Sequence, residues 1–252
     1  MKIIVNADDF GLCIGQNEGI KEAHLNGIVT SATLLVNGTA YDHACRLIRE
    51  LPNLDIGIHL TLTLGKSLLP KESVQSLVDS NGTFRKHDLT KPLKVVKDEV
   101  YHEWNAQIAK AIQSNVTVTH LDSHHHVHLH PDLFPIACRI ADEHDLPLRY
   151  VSDLYGELDR NHDKVMLIDC DTRFYMDHIK PDFFLDYKPP YPREVWEIMC
   201  HPAYVDDWLQ KNSSYTTHRE IELQTLTNPK TKVQLRESKI ELTQHSSLEK
   251  RK

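Results

Sequence analysis

The order of hydrophobic patterns along the chain most strongly limits its fold. Unbroken β-branched or apolar runs, beginning with residues 2–7, alternate with segments whose apolar residues recur every three or four positions. The runs are typical of strands buried on both faces, and the intervening segments are typical of helices. This alternation predicts a parallel sheet, either open or closed as a barrel. Because no internal repeat or linker interrupts it, we predict a single-domain α/β protein with a (β/α) barrel-like fold over residues 1–245, and a disordered tail at 246–252.

One interval breaks the alternation. Phe183–Leu185 and Val195–Cys200 both have the composition of short strands, but only the short segment Asp186-Tyr-Lys-Pro-Pro-Tyr-Pro192 bridges them. Parallel neighbours need a connection of about a dozen residues or more. Either one of the two segments is not a strand, or the barrel is incomplete around residues 183–200.

Composition narrows the classes of function. The net charge is −7 and no basic block is present, which argues against binding to nucleic acid. Apolar runs are far shorter than the roughly 20 residues of a membrane helix, and the first residues lack a signal-peptide pattern. Five scattered cysteines fit neither a disulfide framework nor a cysteine-type zinc site. We expect a cytoplasmic protein with no nucleic-acid and no membrane partner.

The most unusual stretch runs from His120 to Pro131, between a predicted strand and a predicted helix start. Imidazole is the commonest protein ligand for transition metals, so clustered histidines at a strand end suggest a metal centre. A solvated histidine-rich loop is the simpler interpretation. Seven of the twelve residues are Asp or His, namely His120, Asp122, His124, His125, His126, His128 and His130.

Other predicted strands also carry polar residues at their carboxyl ends. Asp8 and Asp9 follow the first strand, His59 lies at the end of the third, and His201 follows the strand near residue 200. Helices that act as crossovers bring the carboxyl ends of parallel strands to one face, where α/β barrels carry their active sites. The sequence therefore predicts one constellation, made of Asp8, Asp9, His59, Asp122 or His124, and His201.

Each of these residues also has a simpler interpretation. One of Asp8 and Asp9 could cap the following helix. His59 has apolar neighbours and would alone be read as a core histidine, and His201 before Pro202 could be structural. Asp122 could hold the second ring nitrogen of a metal-bound histidine. The convergence of several strand ends favours the functional interpretation.

Two imidazoles and one carboxylate, with an open position for water, form a hydrolytic metal site. The metal lowers the pKa of its bound water toward about 7 and polarises a carbonyl oxygen. A second carboxylate beside it can take the proton of that water, and a histidine on the opposite side can protonate a leaving amine. Asp8 and Asp9 would supply both carboxylates, and His201 is a reasonable acid.

Several segments together resemble the YdjC-like carbohydrate deacetylases, a group that includes the chitooligosaccharide deacetylases. The resemblance extends from residue 2 to about residue 245. It is carried by Asn6-Ala-Asp-Asp-Phe-Gly11, Gly27-Ile-Val-Thr-Ser-Ala32, Gly57-Ile-His-Leu60, Thr119-His-Leu-Asp-Ser-His-His-His-Val-His128 and Glu197-Ile-Met-Cys-His-Pro202.

The resemblance implies a barrel related to the polysaccharide deacetylases and hydrolysis of an N-acetyl group from an acetylated amino sugar, such as a chito-oligosaccharide. It implies one divalent metal ion held by Asp9, His59 and His124, with Asp8 as general base and His201 as general acid. It favours Mg²⁺, whereas two imidazole ligands suit Zn²⁺ or a similar ion better. The expected partner is a small acetylated oligosaccharide. Related barrels often dimerise, so a homodimer is a further expectation.

Two other classes of function stay open. A metal-dependent phosphoesterase or sugar isomerase could use a similar barrel, but a phosphatase should carry a glycine-rich loop or a basic cluster for phosphate. Only Arg149 and Lys66 are loosely placed for that role. An inactive sugar-binding relative with intact ligands and an altered groove also fits the sequence.

Overall fold

The barrel predicted from the alternation of strands and helices is confirmed. A computed structural model describes residues 1–152, 154–155, 158, 160, 164–185 and 187–249. Seven strands pair in parallel in chain order, and β1 pairs with both β7 and β2, which closes the ring. The barrel strands are β1 (Lys2–Phe10), β2 (Ser31–Leu34), β3 (Asp55–Leu60), β4 (Val118–Ser123), β5 (Leu148–Tyr150), β6 (Leu167–Asp171) and β7 (Val195–Cys200).

Helices cover the outside of the barrel and explain the unbroken apolar runs. Residues 3–10 of β1 are all buried, because one face of the strand meets helices and the other faces the barrel interior. The interior also holds a polar network, in which Asn6, Asp8, Asp122, Arg149 and Glu197 are buried. The helices are α1 (Ile14–Leu25), α2 (Tyr41–Glu50), α3 (Lys97–Gln113), α4 (Phe134–Glu143), α5 (Asp207–Asn212), α6 (Thr217–Thr227) and α7 (Pro229–Glu237).

The ring of strands is closed among the described residues, so the first of the two alternatives for residues 183–200 is correct and the barrel is not incomplete there. Phe183–Leu185 is not a strand, because its backbone N–H groups donate within turns, from Phe183 to Lys180 and from Leu185 to Asp182. Its apolar character comes instead from a cluster in which Phe183 and Phe184 pack against Phe174. The segment 172–194 connects β6 to β7, and this length is sufficient for a parallel connection.

The end of the chain returns to the amino-terminal end of the barrel. A short strand, β8 (Glu241–Leu242), pairs with the start of β1. A 3-10 helix (His245–Ser247) follows, in which the backbone N–H and the hydroxyl of Ser246 donate to Asp55 at 2.7 and 2.8 Å. The first residues of the predicted disordered tail are therefore anchored on β3. Within the described ranges, no helix combines the length and the apolar character needed to cross a bilayer.

Candidate active site

A cleft of about 550 Å³ opens at the carboxyl ends of the barrel strands. It receives side chains from the ends of β1 and β3, from the segment after β4 and from the segment after β7. Because all strands are parallel, these positions lie at one face, as the alternation predicts. The five residues predicted for the site all line the cleft, namely Asp8, Asp9, His59, His124 and His201.

Two adjacent carboxylates face the same cleft because the strand is irregular there. In a regular strand, neighbouring side chains point to opposite faces. The pairing of β1 with β2 shifts register between Ala7 and Phe10, and Asp9 has a φ of 66°, in the left-handed region. Asp tolerates this conformation better than most residues. The irregularity therefore brings Asp8 and Asp9 to one site.

Asp8 belongs to a buried ion-pair network. Both of its carboxylate oxygens accept hydrogen bonds from the terminal nitrogens of Arg149, each at 2.6 Å. Burial favours the neutral acid, but Arg149 outweighs this effect and holds the pKa of Asp8 well below its ordinary value of 3.8. Asp8 is therefore a carboxylate at any physiological pH.

Asp9 has one oxygen that is engaged and one that is not. Its Oδ2 accepts a hydrogen bond of 2.9 Å from Arg219 of α6, which also donates to Gln16 at 2.6 Å. Its Oδ1 is buried and has no hydrogen-bond donor among the described residues. A buried carboxylate oxygen without a donor is costly, so Oδ1 is suited to receive a ligand or a cation.

Two histidines direct their Nε2 atoms toward this free oxygen. Nε2 of His59 lies 3.4 Å from Oδ1 of Asp9, and Nε2 of His124 lies 3.9 Å from it. Their Nδ1 atoms are held, that of His59 by Asp122 at 2.7 Å and that of His124 by Thr63 at 2.8 Å. Donor atoms about 2.1 Å from a tetrahedral metal are separated by roughly 3.4 Å, and the two distances to Oδ1 are close to this value.

The protonation of the two histidines differs because their surroundings differ. Burial lowers the pKa of His124 to about 3, although Asp9 partly opposes the effect, so its imidazole is neutral. Burial also disfavours charge on His59, but the carboxylate of Asp122 outweighs it and raises the pKa of His59 to about 10. A cation that binds His59 must therefore displace a proton from it.

A second triad of potential ligands overlaps the first. Donor atoms of Asp8, His59 and Asp122 lie within 4.8 Å of one another. Their carboxylates are already engaged, because Arg149 binds both oxygens of Asp8 and lies 2.8 Å from Oδ2 of Asp122, whose Oδ1 faces His59. The set of Asp9, His59 and His124 differs from this triad because it contains a buried carboxylate oxygen without a hydrogen-bond partner among the described residues.

His201 lies on the other side of Asp8. Its Nε2 is 4.0 Å from Oδ2 of Asp8, and its Nδ1 is 3.7 Å from the buried carboxylate of Glu222. The backbone N–H of His201 also donates to Glu222, which accepts a further hydrogen bond from the hydroxyl of Tyr215. Glu222 thus fixes the segment that carries His201, and the imidazole faces the cleft.

The remaining histidines of the loop support it or form its wall. His128 connects Oγ of Ser123 to the carbonyl of Arg149, and His130 contacts the carbonyl of Lys91. His125 and His126 line the cleft, and both have positive φ values, 56° and 51°. The run of histidines therefore contributes one side chain, His124, to the set around Asp9.

Four residues of the site were not predicted for it, namely Arg149, Glu197, Arg219 and Glu222. Arg149 was considered only as a phosphate ligand, but it is 1% exposed and engaged by carboxylates. Arg219 and Glu222 are three positions apart on a predicted helix and thus share one face, the only pattern in the sequence that links them.

The fold and the site together define an α/β-barrel protein with a carboxylate–histidine centre of the hydrolytic type. The family model described as YdjC-like protein matches residues 2–237, and the chain belongs to this family. Two curated relatives are named carbohydrate deacetylase. The protein of Brevibacillus brevis is 40% identical over 98% of this chain and 100% of its own length, and that of Vibrio cholerae is 38% identical over 98% and 96%.

Solved structures agree with the fold. A protein of Enterococcus faecalis, described as a candidate cellobiose-phosphate cleavage protein, superposes with a TM-score of 0.89 at 37% identity and covers 98% of both chains. A lactam utilization protein of Thermus thermophilus has a TM-score of 0.55 at 15% identity, with 96% and 99% coverage. The second likeness concerns the fold alone.

Proposed function

We propose that the protein is a carbohydrate deacetylase, a metal-dependent hydrolase that removes N-acetyl groups from acetylated amino sugars such as chito-oligosaccharides. The names of its curated relatives support the reaction class. The observation that carries the metal dependence is the buried Oδ1 of Asp9, which has no donor among the described residues and faces the Nε2 atoms of His59 and His124. One cation satisfies all three atoms.

The ligands proposed for the metal are Asp9, His59 and His124. When bound, the ion would polarise the acetyl carbonyl and make a water molecule more acidic. The family resemblance favours Mg²⁺, but two imidazoles and one carboxylate suit Zn²⁺ or a similar ion better. Asp122 and Thr63 orient the two imidazoles through their Nδ1 atoms, a role that partners of metal-bound histidines commonly have.

Asp8 and His201 carry the proposed proton transfers. Asp8 is kept ionised by Arg149 and accepts a proton from the attacking water. His201 donates a proton to the leaving amine of the sugar, and Glu222 accepts from its backbone N–H and lies 3.7 Å from its Nδ1. Nε2 of His201 lies 4.0 Å from Oδ2 of Asp8, so both groups can reach the same acetamide group bound in the cleft.

The cleft suits a neutral sugar better than a phosphate ester. Tyr175, Trp208 and Tyr215 line it and present aromatic surface, which is typical of small-molecule sites. Arg149 is engaged by buried carboxylates and Lys66 does not line the cleft, so neither cation is placed to bind a phosphate group. These contacts favour the deacetylase over the phosphoesterase.

Acetate release tests the proposal. The purified protein, analysed for metal and reloaded with Zn²⁺ or Mg²⁺, should release acetate from N-acetylglucosamine, its dimer or its trimer, and chelation should abolish the release. Asp9→Asn and His124→Ala should lose bound metal and at least about 100-fold in kcat/KM, because a ligand is removed. His102→Ala is the matched control, since His102 is exposed on α3. A fully metallated protein that releases no acetate from these sugars contradicts the proposal.

The compartment is part of the same proposal. All five cysteines are free and buried, which agrees with the reducing conditions of a cytoplasmic protein. The homodimer expected from related barrels stays a prediction.

A further inference from the structure

The carboxyl-terminal segment, residues 244–248, packs against the end of the barrel opposite the cleft. Nε2 of Gln244 donates to the carbonyls of Thr30 and Asn53 at 3.2 and 2.6 Å, and Ser246 donates twice to the carboxylate of Asp55. The segment is thereby fixed to the starts of β2 and β3. It lies beyond residue 237, where the match to the family model ends.

The segment places one imidazole inside the barrel. His245 is 4% exposed and stacks on His120 of β4, with ring centroids 3.6 Å apart and planes 6° from parallel. Its Nδ1 lies 3.1 Å from the hydroxyl of Ser31. The stacking on His120 and the contact with Ser31 together orient the buried imidazole.

The other nitrogen of His245 faces the ion-pair network of the site. Its Nε2 is 3.4 Å from Oε2 of Glu197, a buried oxygen to which no described residue makes a well-formed hydrogen bond. Oε1 of Glu197 accepts from Nε of Arg149 at 2.7 Å, and Arg149 in turn holds Asp8. Continuous contacts therefore connect the end of the chain to the proposed general base.

The orientation of Arg149 depends on its carboxylate partners. Glu197 accepts from Nε of the guanidinium, whereas Asp8 and Asp122 contact its terminal nitrogens. In the part of the barrel that is described, His245 is the residue that faces Oε2 of Glu197. If Glu197 were released, Arg149 would follow its other partners, and displacements of about 1 Å at a catalytic group can cost roughly 100-fold in rate.

We propose that His245 is a positioning residue of the active site, which fixes Glu197 and through it the Arg149–Asp8 pair. This inference rests on the proposed deacetylase function. The competing interpretation is that His245 only fills space and stabilises the barrel. The ring face of His245 packs against His120, whereas its Nε2 atom faces Glu197. Substitutions can therefore remove the polar contact and keep the packing.

The experiment compares acetate release by the metal-loaded full-length protein with that of three variants. His245→Phe keeps a flat ring against His120 but has no group to donate to Glu197. His245→Gln retains a donor. Ser246→Ala removes a tail anchor and leaves His245 in place. We expect kcat of His245→Phe to fall by roughly 10- to 100-fold with KM and metal content unchanged, that of His245→Gln to recover in part, and that of Ser246→Ala to equal the wild type.

The outcomes separate this inference from the proposed function. A wild-type protein that releases no acetate contradicts the deacetylase itself. An active wild type with an equally active His245→Phe variant overturns the inference alone. It is also overturned if kcat of all three variants falls in proportion to their melting temperatures, since a purely structural plug predicts that result.

Discussion

At the scale of single residues, Arg149 determines the electrostatics of the barrel interior. Its guanidinium binds Asp8 with both terminal nitrogens, binds Glu197 through Nε and lies 2.8 Å from Asp122. Three buried carboxylates thus share one permanent positive charge. Burial raises the pKa of Asp8 and of Glu197, but in both residues Arg149 outweighs burial and the pKa is lowered. Without Arg149, the cost of burying these charges would lose its strongest opposing interaction.

Replacing Arg149 should therefore destabilise the fold in a pH-dependent way. We expect Arg149→Met to lower the free energy of unfolding by about 3–5 kcal/mol near pH 7, because it leaves buried charges unpaired. In the wild type, the lowered pKa of Asp8 gives stability above its ordinary value of 3.8 that is lost as pH falls through the folded pKa. In the variant the main opposition to burial is removed and only the weaker effects of His59 and His201 remain, so the folded pKa of Asp8 is higher than in the wild type and protonation relieves the penalty.

Urea unfolding at several pH values measures this effect. The difference between Arg149→Met and the wild type should shrink as pH falls from about 7 toward about 4. The control is Arg139→Met, since Arg139 is 60% exposed in its ion pair with Glu143 and should cost at most about 1 kcal/mol. A difference that does not change with pH would contradict the role assigned to Arg149.

At the scale of elements, α6 contributes more to the site than its position late in the chain suggests. Arg219 and Glu222 lie on one face of this helix. Arg219 holds Oδ2 of Asp9, and Glu222 faces Nδ1 of His201. One rigid element therefore orients both a proposed metal ligand and the proposed acid.

The contact of Glu222 with His201 should affect kcat without affecting metal binding. We expect Glu222→Gln to lower kcat by up to about 100-fold, the lower end of a general acid's contribution, because the negative charge that faces Nδ1 of His201 is removed. Metal content should not change, since Glu222 does not contact Asp9, His59 or His124. Steady-state acetate release and metal analysis measure the two effects. Glu220→Gln, an exposed change on the same helix, is the control, and a loss of metal in Glu222→Gln would contradict the assignment.

At the scale of the whole molecule, the barrel could be predicted because its strands are buried on both faces. Such strands leave unbroken apolar runs, and the polar residues that end them mark the cleft, as at Asp8, His59 and His201. The parallel connections then bring those ends together. The false strand at Phe183–Leu185 has the same apolar composition but packs as an aromatic cluster, a difference that local composition does not reveal.

The partners of the Asp8 and Asp9 carboxylates could not be predicted from local patterns. Arg149 meets Asp8 across 141 positions of sequence, and Arg219 meets Asp9 across 210. The side chain of Asp9 reaches the same cleft as that of Asp8 because Asp9 has a positive φ and β1 shifts register there. Regular strand alternation would direct the two side chains to opposite faces of β1. Such features follow from tertiary packing, so the sequence indicates which residue types converge but not how they are oriented.

A cation in this cleft should stabilise the whole barrel. Asp9, His59 and His124 belong to β1, β3 and the segment after β4, so an ion bound by all three connects distant parts of the chain and binds the unfolded state weakly. At 100 times its Kd, such a ligand adds about 2.7 kcal/mol to the free energy of unfolding. Each kcal/mol raises the melting temperature of a domain of this size by about 2–4 °C, so thermal unfolding should show a rise of about 5–11 °C with Zn²⁺ over chelated protein.

The same measurement on variants assigns the stabilisation to this site. His124→Ala should lose most of the rise because one ligand is removed, whereas His102→Ala should retain it because His102 is exposed on α3. If His124→Ala is stabilised by Zn²⁺ as strongly as the wild type, the ion binds elsewhere. The ion-pair network of Asp8, Asp122 and Arg149 needs no metal, and the buried apolar strands stabilise the barrel independently of the cleft. The chelated protein should therefore still unfold cooperatively.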